Sequence, residues 1–374
     1  MSLVNIKRSN DISTLYFVFY GATNFEKKGI YGISHLMEHL VCKKFDDLSE
    51  DFEADCIDFN AQTGDDTIIF HFTGLEECLA KYRNKIIKRM YKPFKVTKKM
   101  LQDEKAIVQQ ELDEVFKDLG SLHYLLFFRR HYNHFSAVGS SQDIERITVE
   151  ECNEFYEKQF AKPDKIISSS KDFVLTLDPK YTFENRVRKR RKLKLMKNIN
   201  NSEIELYNKG FGSDIKNIFM VKEIDPEDFP VSKIITHLFH SGSLSSPLIN
   251  EVREKRSLVY GIDMSSTKMC GNAFVMISTT THAKNKDAVL QTIDMVLKDY
   301  KTHITPERLE RTVRSLKIQR KLIDADGAPM DDDDLAETEK KYRQKLDNVT
   351  FDETIAFCEK YINGNDQFTC IDVF

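Results

Sequence analysis

The chain has 374 residues, of which 41% are hydrophobic and 31% charged, with no tryptophan and few glycines and prolines. That balance fits a soluble globular protein long enough for two domain cores, and it excludes disordered, collagen-like and linker-like chains. The net charge of −3 gives no general drive toward nucleic acid or anionic membranes, and no apolar run approaches the ~18 residues that a membrane span needs.

In chain order, Met1–Asn10 lacks the apolar core and cleavage site of a signal peptide, so a cytoplasmic location is expected. Thr14–Tyr20 reads as a buried strand, and Thr67–Thr73 as another. Between them, Ile33, Leu36, Met37, Leu40 and Val41 repeat with helical period, and a second helix is predicted over Lys105–Phe116. Arg186–Lys197 holds eight basic residues and no acidic one, and reads as a solvated linker. Beyond it, Ala273–Thr280 reads as a strand. Val289, Leu290, Ile293, Val296, Leu297 and Tyr300 mark a helix. Strands and helices mingle without regular βαβ alternation, which predicts an α+β fold. The basic run divides the chain into residues 1–180, a linker at 181–201, and a second domain at 202–374. The seven cysteines are odd in number and lack C-x-x-C spacing, so reduced core thiols are expected rather than disulfides.

The first helix carries the chemistry. Gly32–Leu40 contains H-x-x-E-H: His35, Glu38 and His39. Residues i and i+4 lie one above the other on a helix, so both imidazoles can share one tetrahedral zinc ion. Glu38 lies on the same side, placed to take a proton from a water on the metal. This is the inverted form of a metallopeptidase signature. A third ligand is sought on another helix. Glu104 and Glu111 are seven residues apart, nearly two turns, so they face the same way. One can bind zinc while the other orients a histidine.

These two segments together resemble the pitrilysin/insulinase family of zinc peptidases, which includes the mitochondrial processing peptidase and insulin-degrading enzyme. The resemblance implies that Glu111, 72 residues after His39, is the third ligand, and that Glu104 is the acid behind it. Asn60-Ala61-Gln62-Thr63 resembles the family's N-A-x-T segment, an edge strand that pairs with the extended substrate. Such pairing binds peptides through main-chain hydrogen bonds. Ser243–Tyr260 resembles a segment of the family's second domain that contains R-x6-Y. That implies that Arg253 and Tyr260 hold the substrate and stabilise the scissile carbonyl, as hydrogen-bond donors to a developing oxyanion can. The family also implies two related domains, each a mixed sheet layered with helices, as in proteins like the mitochondrial processing peptidase. One Zn²⁺ per subunit is expected, with a peptide substrate and a homodimer whose composite active sites enclose a chamber. Neither nucleic acid nor membrane is expected as a partner.

The competing reading from the same resemblance is a non-catalytic peptide-binding or structural subunit. S-ribosylhomocysteine lyases also carry H-x-x-E-H, but they are much shorter and complete their metal site with cysteine. His237 and His240, the acidic run Asp331–Asp334, and His71 are read as structural.

Overall fold

A computed structural model describes residues 2–8, 10–117, 119–132, 134, 136–181, 193–195, 214–326, 333–368 and 370–373. Its described residues gather into two units. The first lies within Met1–Asp118, Phe135–Arg191 and Ala325–Asp333, and the second within Leu119–His134, Lys192–Asp324 and Asp334–Phe374. Of the basic run, only Leu193, Lys194 and Leu195 lie among the described residues, and the Leu193 N–H donates to Asn272 Oδ1 at 2.9 Å.

In the first unit, β1 (Ser2–Lys7), β2 (Ile12–Tyr20), β3 (Asp58–Thr63), β4 (Thr67–Leu75) and β5 (Lys165–Ser170) form a sheet in the order β1-β5-β2-β4-β3. The β1–β5 pair is parallel and the other pairs are antiparallel, so the sheet is mixed. Leu15, Phe17 and Phe19 alternate along β2 with Tyr16 and Val18, and all five are buried, so this strand is covered on both faces. The Leu15–Phe19 face shares a core with Phe70 and Phe72 of β4 and with α1 (Ile33–Cys42). The helices α2 (Ser49–Ala54), α3 (Glu76–Tyr91), α4 (Lys98–Lys117), α6 (Ser141–Arg146) and α7 (Val149–Gln159) add further buried side chains to that core. A Thr148 capping box fixes the start of α7.

In the second unit, β6 (Ile215–Ile224), β7 (Val259–Met269), β8 (Asn272–His282) and β9 (Cys370–Val373) form an antiparallel sheet in the order β7-β8-β6-β9. One face packs on α8 (Phe229–Phe239), α9 (Lys286–Lys298) and other helices, with Ile218, Met220, Val275 and Ile277 pointing inward. The other face receives α5 (Leu119–Tyr132), whose Phe127, Phe128 and Tyr132 meet Phe219, Val221 and Phe274. The α+β expectation is met: each unit is a sheet layered with helices. Among the described residues, no helix is long and apolar enough to cross a membrane.

Candidate metal centre

Helix α1 is amphipathic. Ile33, Leu36, Met37, Leu40 and Val41 are fully buried, which turns His35 and His39 toward the opposite face. Its start is pinned from outside the helix. The N–H groups of Gly32 and Ser34 donate to the two oxygens of Glu26, at 2.9 and 3.0 Å. They are among the N–H groups that a helix N-terminus leaves unpaired, and a carboxylate also suits the positive end of the helix dipole. Gly32 and Gly139 pack backbone against backbone with positive φ, seating the Ser136–Ser140 loop on the head of the helix.

Three ligand atoms then converge. His35 Nε2 and His39 Nε2 are 3.2 Å apart, and Glu111 Oε2 lies 3.3 Å from the first and 3.5 Å from the second. Zinc bonds of about 2.0–2.1 Å in tetrahedral geometry place donor atoms roughly 3.3–3.4 Å apart. The three side chains therefore outline one face of a tetrahedron of the right size, and two imidazoles with a carboxylate form a donor set that suits zinc. Burial, followed by the neighbouring His39, pushes His35 down to about 4, so its ring is neutral, the form that ligates a metal. Behind His39, Nδ1 donates to Glu104 Oε2 at 3.3 Å, and Glu104 is almost wholly buried.

Glu38 lies in the same cleft, of about 590 Å³, which His35, His39, Glu104, Glu111 and Asn60–Thr63 also line. Burial raises its pKa, while the Thr63 hydroxyl, donating to Oε2 at 2.7 Å, pulls the other way. Thr63 ends β3, the edge strand of its sheet, whose inner side pairs with β4 in the register Asn60↔His71 through Thr63↔Ile68. The edge strand and the ligand helix thus share a cleft, and one hydroxyl links them. Phe59, Ile107, Ala137 and Val138 give the cleft an apolar side.

Arg253 and Tyr260 belong to the second unit. Arg253 is the second-to-last residue of a π-helical segment at Ile249–Glu254, and its guanidinium lies 5.4 Å from the centre of the Tyr260 ring. The pairing of β7 with β8 jumps from Val259↔Thr281 to Ile262↔Thr279, so β7 carries one extra residue, a bulge at Tyr260-Gly261. Thr279 Oγ1 donates to the Gly261 carbonyl and Thr281 Oγ1 to the Leu258 carbonyl, holding the bulge from below. Tyr260 is left 89% exposed.

Among the features read as structural, His71 stacks on Tyr16 at 5.5 Å, and His240 Nδ1 pairs with Asp263 at 3.2 Å. Asp331 and Asp332 lie outside the described residues. The sequence had not singled out Glu26, the Gly32–Gly139 contact or the Thr63–Glu38 bond. The paired glycines offered a signal, since both precede helices, but their contact joins residues more than a hundred positions apart.

Residues 3–138 match the profile described as insulinase, peptidase family M16, and residues 127–316 match that of the peptidase M16 inactive domain. A search of curated proteins finds no match. Among solved structures, the chain is similar to a protease from Helicobacter pylori at 15% identity and a TM-score of 0.74, covering 99% of this chain and 95% of that one. It is also similar to a peptidase M16 inactive domain from Pseudomonas fluorescens, at 17% identity and a TM-score of 0.70, covering 99% and 93%. A chain of complex III2 from Candida albicans is similar at 10% identity and a TM-score of 0.67, covering 99% and 92%. At these identities the structures speak for the fold, while the two profiles run from residue 3 to residue 316, and the chain belongs to the insulinase family of peptidases, family M16.

Proposed function

We propose that the protein is a zinc metalloendopeptidase that cleaves short or unfolded peptides. The observation that carries this is the ligand triangle of His35, His39 and Glu111 in one cleft with the buried carboxylate of Glu38. Zinc, when held by those three side chains, supplies a Lewis acid that polarises a peptide carbonyl and brings the pKa of a water near neutrality. Glu38 acts as the general base, accepting a proton from the attacking water and passing it to the leaving amine. The Thr63 hydroxyl anchors Oε2 and leaves Oε1 for that transfer. The outer side of β3 at Asn60–Thr63 binds the extended peptide through its main chain. Tyr260 donates its phenolic hydrogen to the oxyanion, and Arg253, packed on its ring, orients it.

The same proposal includes a homodimer, with Tyr260 and Arg253 supplied to each metal site by the partner subunit around an enclosed chamber. Cys42, Cys56, Cys78, Cys152, Cys270 and Cys358 are free thiols, in keeping with a reducing compartment such as the cytoplasm. Residues 1–180 make the zinc-binding domain and 202–374 the domain that grips substrate.

The deciding experiment combines metal analysis with digestion of an unbiased peptide mixture. The wild type is expected to carry one zinc per chain and to cleave. Glu38→Gln should keep the zinc and lose about 10²–10⁴-fold in rate. Mixing Arg253→Ala with Glu38→Gln subunits should restore part of the activity by subunit exchange. Wild-type protein with bound zinc and no cleavage would instead support a non-catalytic peptide-binding or structural subunit.

A further inference from the structure

Lys43 follows His39 by four residues, and its backbone is still helical at the end of α1, so it stands one turn beyond the ring on the same face. Its ammonium forms an ion pair with Glu104 Oε1 at 2.8 Å. The other oxygen of that carboxylate is the one that faces His39 Nδ1, at 3.3 Å. Glu104 is only 2% exposed, whereas Lys43 is about a third exposed. One buried carboxylate is thus gripped at both ends, by a cation that reaches solvent and by a ring whose far nitrogen points at His35 and Glu111.

Two physical facts give this arrangement a consequence. A buried carboxylate is strongly disfavoured without a compensating charge. A carboxylate is also a pure acceptor, so the ring it faces must keep its proton on Nδ1 and offer Nε2 as a lone pair. Glu104 can do this for His39 only while something opposes its charge and holds its plane. Lys43 is the cation the structure puts at its other oxygen.

We propose that Lys43 is a positioning residue of the metal centre: acting through Glu104, it fixes the orientation and tautomer of His39 so that Nε2 serves as a ligand. This goes beyond the zinc proposal and rests on it. A lysine at a helix C-terminus also favours the helix dipole. That effect bears on folding alone and does not depend on Glu104, so the two roles separate.

The test reads zinc affinity, not turnover. Metal-free protein is titrated with zinc against a chromophoric chelator, for wild type, Lys43→Met, Lys43→Arg, Glu104→Gln and Lys43→Met/Glu104→Gln, with thermal melting of each metal-free protein as the folding control. Lys43→Met should weaken zinc binding by about 10–100-fold, the range for partners that orient ligands. Lys43→Arg should restore most of it. In the Glu104→Gln background, where no carboxylate remains to be held, Lys43→Met should have no further effect on affinity. The inference is overturned if folded Lys43→Met binds zinc like wild type. It is also overturned if Lys43→Met lowers affinity equally in both backgrounds. Should Lys43→Met fail to fold, Lys43→Gln, which removes the charge and shortens the reach, decides by the same comparison. Wild-type protein whose zinc binding is indifferent to His35→Ala overturns the zinc proposal and this inference together. Normal binding by folded Lys43→Met overturns the inference alone.

Discussion

Gly139 offers a quantitative test of how the cleft wall is seated. Its φ is +75°, and a Cβ there would lie 2.4 Å from Gly32 Cα and 2.4 Å from the Tyr31 carbonyl oxygen. Carbon contacts settle near 3.5–4.0 Å, so Gly139→Ala must separate the two backbones by about 1 Å. Two costs combine. The left-handed backbone disfavours an L side chain by about 1–2 kcal/mol, and forcing packed segments apart adds about 1–3 kcal/mol. The expected loss is therefore about 2–5 kcal/mol, a large share of a typical folding stability of about 5–15 kcal/mol. Gly29 isolates the first cost, because its φ is +93° but a Cβ there would meet nothing within 4 Å. Gly29→Ala should lose only about 1–2 kcal/mol. Urea unfolding of both variants, followed by far-ultraviolet circular dichroism, makes the comparison. If the two lose the same stability to within about 0.5 kcal/mol, the close approach of Gly32 and Gly139 is not constraining the fold. Since the displaced loop carries Ala137 and Val138, folded Gly139→Ala protein should also bind peptide less tightly.

Other expectations bear on different parts of the molecule. Lys44 Nζ donates to the carbonyls of Met90 and Lys92 and to the Tyr156 hydroxyl, so Lys44→Met should cost about 1–3 kcal/mol by removing three hydrogen bonds, although the Tyr156 hydroxyl still donates to the Lys92 carbonyl. Burial, followed by Lys92, pushes Lys44 down to about 7, well under its ordinary 10.5. The unfolded chain then holds more protons than the native one across that window, so stability should rise with pH from 7 toward 10.5. Lys44→Met should flatten that rise in urea melts at pH 7 and 9, and an unchanged slope would count against it. Tyr260→Phe should lower kcat by about 10²–10³ with little change in KM, as for a lost oxyanion donor. Its melting temperature should match wild type because the ring is exposed, and an unaltered kcat would remove the phenol from the mechanism. Stripping zinc with a chelator should abolish cleavage and, against protein in zinc at a hundred times its Kd, lower stability by about 2.7 kcal/mol. Melting that ignores zinc would contradict the site.

The ligand helix was legible because two local rules coincide in it. A 3.6-residue apolar repeat chose the buried face, and the i, i+4 histidines fell on the other. The seven-residue step from Glu104 to Glu111 was legible for the same reason. Strand β5 was not. Its Lys165-Ile-Ile-Ser-Ser-Ser170 looks half polar, yet every residue is buried, between β1 and β2. Ser169 is satisfied from neighbours far away in sequence: Ser13 Oγ donates to its carbonyl, the Thr14 and Ser169 hydroxyls share a hydrogen bond, and Arg8 Nε donates to Ser169 Oγ. Hydrogen bonds across some 160 residues override hydropathy, and no local pattern encodes them. The grip of Lys43 on Glu104 escaped for a similar reason, since it exists only once two segments some 60 residues apart have met. The aromatic side chains of α5 likewise find their partners far away in sequence, on β6 and β8.

Under the proposed function, the position of β3 at the rim of its sheet decides which molecules the cleft can take. A main-chain docking rail is nearly blind to amino-acid identity, proline excepted, because every other residue offers the same amide and carbonyl. It is not blind to history. A polypeptide already coiled into helices or stitched into sheets has spent those groups on itself and has none to present. Selection at such a rail therefore acts on conformational state before composition, sorting idle chains from engaged ones.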